Sequence, residues 1–122
     1  MTRRVEFDVT EDMMAGFRYG EGLKIFENRM RCVPEAATGL KARGQDGVAW
    51  LDGLLDGRTW LAGERFSLAD IALRCRVDFC TSVDQPLNPQ LRRFGAWFER
   101  VNARPSATAS LSPDAQASGL RV

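Results

Sequence analysis

The sequence predicts an all-α protein, a helical bundle of four main helices, and three observations carry that expectation. Ser67 and Asp70 stand three apart immediately before a long apolar run, the signature of a helix N-terminal capping box. Leu91, Phe94, Trp97, Phe98 and Val101 recur at three- and four-residue spacing, which lays them along one helical face. No strand pattern of any length occurs outside the first ten residues.

Met1 to Asp8 is polar, with a weak alternation at Val5, Phe7 and Val9, and residues 1–10 read as a short extended lead-in or a disordered arm. Thr10-Glu11-Asp12 offers a cap with acids in the first turn, and helical periodicity then runs to Val33, where Pro34 ends it. The apolar face of this first helix shifts along its length. Met13, Met14 and Phe17 lie on one side, and Leu23, Phe26, Met30 and Val33 lie roughly opposite at 100° per residue. Either the helix kinks near Tyr19-Gly20 or it buries two faces against different bodies. Gly16 and Gly20, four apart, permit close approach by another backbone.

A second helix is expected from about Glu35 to Asp56, with Leu40, Gly44, Gly47, Val48, Leu51, Leu54 and Leu55 in one stripe, Trp50 at its margin and Gly57 as the stop. Arg58 to Arg65 connects, with Trp60 and Leu61 tucked beneath the core. The third helix starts at Ser67, where Phe66 and Ile71 occupy the two positions of a hydrophobic staple. Its residues from Leu68 to Val83 are apolar round most of the circumference, as in the buried centre of a bundle. Asp70, Arg74, Asp78 and Thr81 form a narrow polar stripe with acid–arginine pairs four apart. Arg76 projects from the apolar side. It either snorkels to the edge of the bundle or meets an acid, an anion or a partner. The fourth helix is expected from Asn88 as cap and Pro89 as first residue to Arg104-Pro105. From Ser106 onward Ala, Ser, Pro and Asp dominate, which reads as one loose helical turn and a mobile tail.

Composition excludes several classes of function. The chain has 122 residues, enough for one domain with a core. Its net charge of +1, without a basic block, argues against a nucleic-acid binder. No apolar run approaches the ~20 residues that span a bilayer. Histidine is absent, which removes His-based acid–base chemistry, Ser/Cys–His pairs and nearly all common zinc sites. Cys32, Cys75 and Cys80 read as buried reduced thiols of a cytoplasmic protein. No catalytic residue and no metal site can be assigned. A catalytic Ser67–Asp70 pair is the weaker reading, because capping already occupies both groups and the serine has no base.

The run Leu54-Leu55-Asp56-Gly57-Arg58-Thr59-Trp60-Leu61-Ala62-Gly63-Glu64-Arg65-Phe66-Ser67-Leu68-Ala69-Asp70-Ile71 resembles the signature of the all-helical C-terminal domain of cytosolic glutathione transferases. There, a buried helix begins at a Ser/Thr-x-x-Asp box after an Ala-Gly turn. Trp97-Phe98-Glu99-Arg100-Val101-Asn102-Ala103-Arg104-Pro105-Ser106 resembles the family's next helix and its exit. The likeness covers roughly residues 11–110, and it implies a helical domain over 11–105. In that family the thiol-activating residue and most glutathione contacts belong to a preceding thioredoxin-like domain, for which nothing here has a counterpart. No catalytic residue is therefore carried over, and glutathione enters only if a thioredoxin-like half is supplied. What the resemblance implies for this chain is one wall of an electrophile pocket, with Met14, Phe17, Arg18 and Tyr19 as candidates. The plainer reading of the same Met-aromatic group is core. Two functions stay open: the helical half of a glutathione transferase, not self-sufficient, or a non-catalytic interaction module. The expected partners are a second copy, bound through the first helix, or a separate thioredoxin-like domain.

Overall fold

The computed structural model describes residues 1–118. In chain order it contains α1 (Thr2–Arg4), a π-helical stretch (Val5–Thr10), α2 (Glu11–Phe17), a second π stretch (Arg18–Gly22), a 3₁₀ turn (Lys24–Phe26), α3 (Pro34–Leu54), α4 (Leu68–Ser82), α5 (Arg92–Asn102), α6 (Pro105–Ala109) and α7 (Pro113–Ser118). The protein is all-α. The helical run 2–22 and helices α3, α4 and α5 enclose one core, built from Val5, Val9, Met13, Val48, Leu51, Leu55, Leu61, Leu73, Val77, Phe94, Trp97 and Val101.

The first ten residues are neither extended nor an arm. They form the opening turns of the first helical run, with Val5 and Val9 fully buried. Residues 5 and 9 satisfy a period of two as well as a spacing of four, and Met13 completes the spacing of four. Phe7, which made the alternation, is exposed. Thr10 is not a cap. It sits inside the run, buried, with its hydroxyl donating to the Glu6 carbonyl oxygen at 3.2 Å.

At the other end the run stops well before Val33. After the π stretch Arg18–Gly22 and the 3₁₀ turn, the chain leaves helical geometry, and Ile25, Phe26 and Met30 are exposed. The kinked alternative therefore holds only in part, because the apolar residues beyond Gly20 are not turned inward. Gly16 and Gly20 both approach α3 of the same chain. A Cβ on Gly16 would lie 3.1 Å from the Lys41 backbone nitrogen, and one on Gly20 would lie 3.2 Å from the Ala37 Cβ.

Helix α3 begins at Pro34, whose missing N–H costs nothing at the first helical position. Its stripe faces the core as expected, and Gly57 leaves the helix at φ 69°. Trp50 is partly exposed, with the Arg4 guanidinium 4.5 Å above its ring.

Helix α4 buries Ala69, Leu73, Val77 and Cys80 as its apolar reading expects, but its polar stripe is buried with them. Asp70, Arg74 and Asp78, the expected polar stripe, are buried, whereas Leu68, Ile71, Cys75 and Arg76 are exposed. Ser67 and Asp70 show the reciprocal arrangement of a capping box. The carboxylate does more than cap. Oδ2 accepts from the Ser67 N–H (2.9 Å) and hydroxyl (3.1 Å), while Oδ1 accepts from the Leu61 N–H (3.0 Å) and from Trp97 Nε1–H (2.8 Å). Four donors from three segments satisfy one buried carboxylate. Arg74 is held in turn by Asn102 Oδ1, 2.8 Å from its Nε, and by Asp78, 3.7 Å from its Nη2.

Helix α5 starts at Arg92, three residues later than Pro89, and its cap comes from another helix. Asp52 on α3 accepts from the Phe94 N–H at 2.8 Å and pairs with Arg93 at 3.5 Å. A carboxylate at the third helical N–H does the work of a local N-cap and suits the positive end of the dipole. Asn88 instead accepts from Gln90 N–H in the turn before it. Beyond Pro105, α6 is the expected short turn, but residues 113–118 form a further helix with Ala115 buried. Residues 119–122 of the expected tail lie outside the described residues.

Candidate functional site

Helices α2 and α4 meet along an apolar wall. Phe17 stands edge-on to Phe79, ring centroids 5.1 Å apart, and the Met14 sulfur lies 4.0 Å from the Cys80 thiol. Both Met14 and Phe17 are half-buried, so the wall is packed from behind and open in front. Of the other two candidates, Arg18 is exposed and turned back to Glu11 at 3.6 Å, and Tyr19 is half-buried on the π stretch. The structure thus brings Met14 and Phe17 together on α4.

Gln85 positions this wall and left no trace in the sequence pattern. Its side chain is buried, and Nε2 donates to the Met13 carbonyl oxygen at 2.9 Å, tying the α2 turn that carries Met14 to the end of α4. Asp84, just before it, holds φ at 63°, a left-handed conformation unusual for a residue with a Cβ. Phe79 was legible only as one apolar residue among many on α4.

The three thiols differ, and only Cys80 is buried as expected. Cys75 is exposed on α4 and Cys32 is half-buried. Burial pushes the Cys80 thiol from 9.0 up to about 11, partly offset by the nearby Arg76 charge. The thiolate is the reactive form. Native protein at pH 8 should therefore be alkylated by iodoacetamide at Cys75 and spared at Cys80, read by peptide mass spectrometry. A folded-state value above the unfolded one also means that this thiol's contribution is complete below pH 9 and is lost as pH rises towards 11. Cys80→Ala should flatten that alkaline loss in urea melts. Equal labelling of both thiols in native protein would refute the assignment.

Arg76 is exposed on α4. Ser67 and Asp70 are committed to the hydrogen bonds already described, and neither meets a base. Phe66 and Ile71 are half-buried and exposed respectively, and both line an open groove. Phe66 also carries the Arg104 guanidinium 3.8 Å over its ring, so Arg104 is packed and not a free helix end. Among the described residues no group of three or more His, Cys, Asp or Glu is placed to hold a metal ion, and no helix is long and apolar enough to cross a membrane.

Comparison with known proteins gives a consistent result. The family model described as "Glutathione S-transferase, C-terminal domain" matches residues 22–105. The curated protein Glutathione S-transferase 2 of Saccharomyces cerevisiae is 25% identical over 113 residues, which is 87% of this chain and 46% of that protein. A glutathione S-transferase domain-containing protein from Marinobacter aquaeolei VT8 superposes with a TM-score of 0.78 at 29% identity, covering 87% of this chain and 52% of the other. Gtt2 from S. cerevisiae superposes at 0.77 with 22% identity, covering 88% and 52%, a likeness of fold. The chain spans about half the length of the relatives it matches.

Proposed function

The chain belongs to the glutathione S-transferase, C-terminal domain family, and from that premise we propose that it supplies the helical, electrophile-pocket half of a glutathione transferase without being catalytically self-sufficient. The observation that carries this reading is the half-open wall of Met14, Phe17 and Phe79. Such a surface offers an apolar, polarisable face to an aromatic electrophile, and the half-buried, flexible Met14 side chain can adjust to its shape. The wall has no group to bind glutathione or to lower the pKa of its thiol. A thioredoxin-like half would have to supply both, and glutathione would be a cofactor only of the combined unit.

The isolated chain should therefore conjugate glutathione to 1-chloro-2,4-dinitrobenzene no faster than the uncatalysed reaction. Turnover at the level of a full transferase, from protein shown free of contaminating enzyme, would overturn this reading.

The second reading is a non-catalytic interaction module of the cytoplasm, and the exposed Ile25, Phe26 and Met30 favour it. Soluble proteins seldom leave such residues clustered and uncovered. The partner we propose is a second copy, meeting through the end of the first helical run and the segment after it. Gly16 is spent on α3, so that contact does not use it. Sedimentation equilibrium at micromolar concentration should give a dimer that Phe26→Glu dissociates. A single 13.6 kDa species in both proteins would exclude the dimer.

A further inference from the structure

Helix α4 turns Leu68, Ile71 and Cys75 outward, and the C-terminal helices do not cover them completely. Between α4 and α6–α7 runs a groove with two joined chambers, about 220 and about 440 Å³, which share Arg74, Cys75 and Ser110. One wall is Ile71, Cys75 and Phe79, and the other includes Ala107 and Leu111. Chambers of this size and apolarity suit a small aromatic molecule, whose burial removes apolar surface from water on both sides.

Arg74 lines both chambers although its side chain is almost wholly buried. A guanidinium has five N–H donors. The bond from Nε to Asn102 and the 3.7 Å approach of Nη2 to Asp78 engage only part of them. Asp78, buried as well, lies 3.7 Å from Arg74. An anionic ligand on Arg74 would be brought beside that carboxylate, a like-charge approach that a low-dielectric site penalises. A neutral acceptor takes a donor from Arg74 and adds no charge.

We propose that the groove between α4 and α6–α7 is a binding site for uncharged aromatic molecules carrying one carbonyl-type hydrogen-bond acceptor. Phe79 touches both this groove and the α2 wall, yet the proposal is independent of glutathione chemistry and is tested without it.

The test uses three molecules of one shape: 2-acetonaphthone (neutral acceptor), 2-naphthoate (anion) and 2-ethylnaphthalene (no acceptor). Binding is followed by ligand-observed NMR, and by the rate at which N-ethylmaleimide labels Cys75, the exposed thiol shared by both chambers. The ketone should bind one per chain with a Kd on the order of 100 μM, as expected for a ligand of its size. It should slow Cys75 labelling at least fivefold at saturation, and the other two molecules should bind at least fivefold more weakly. Ser110→Trp, at an exposed position that lines both chambers, should fill the groove and weaken the ketone at least tenfold while the fold is retained by circular dichroism. Naphthoate binding as tightly as the ketone would overturn the assignment of a neutral acceptor. Ketone binding unchanged in Ser110→Trp, no protection of Cys75, or no saturable binding up to 1 mM would each overturn the site.

Discussion

Asp70→Ala should cost about 3–5 kcal/mol of folding stability, several times the cost of Ser67→Ala. A capping box alone would make the two substitutions similar, at about 0.5–2 kcal/mol each. The structure separates them. Removing the Ser67 hydroxyl loses its half of the capping box and one bond to Asp70 Oδ2, and leaves the carboxylate with three donors. Removing the Asp70 carboxylate strands the Leu61 N–H and the Trp97 indole N–H in the interior, each costing roughly 1–3 kcal/mol without a partner. It also unfastens α4 from α5 and from the connecting loop at one stroke. Urea unfolding followed by Trp fluorescence gives both numbers. Combining Asp70→Asn with Trp97→Phe should show coupling of about 1 kcal/mol. An Asp70→Ala cost no larger than that of Ser67→Ala would show that the long-range bonds contribute nothing.

Gly44→Val should destabilise the protein by about 2–4 kcal/mol, against a gain for Gly39→Ala in the same helix. A Cβ at Gly44 would lie 2.6 Å from Met13 Cγ, 3.2 Å from the Met13 backbone nitrogen and 3.3 Å from its Cα. The backbone atoms cannot retreat without moving the first helical run off α3, and Met13 itself is buried. A Cβ at Gly39 meets nothing within 4 Å, so Ala there should add about 0.5–1 kcal/mol of helix propensity without a clash. Thermal melts of both variants make the comparison. Equal effects at the two glycines would remove the close crossing of the first run over α3 from the account.

Much of the candidate site could be read in the sequence because it follows from local spacing. Met14 and Phe17 lie three apart on a helical face, so their meeting on a neighbouring helix needed only the identity of that neighbour. Arg18, adjacent in sequence, points elsewhere and pairs with Glu11. Gln85 was invisible, since a single amide in a turn carries no periodic signal and its partner, the Met13 carbonyl, is 72 residues away.

The amino-acid sequence by itself determined the class of fold and the boundaries of α3 and α4. Ser67, Pro34, Gly57 and the Leu91–Val101 spacing act through the residues next to them, whatever the rest of the chain does. The tertiary structure decided which way α4 faces and where α5 begins. A carboxylate or guanidinium reads as solvent-facing until the donors and acceptors that satisfy it are known, and those belonged to other elements. Leu61 and Trp97 hold Asp70, Asn102 holds Arg74, and Asp52 caps α5. Only a buried polar group with its partners in place is cheaper inside than outside, and that condition is set by contacts across the fold.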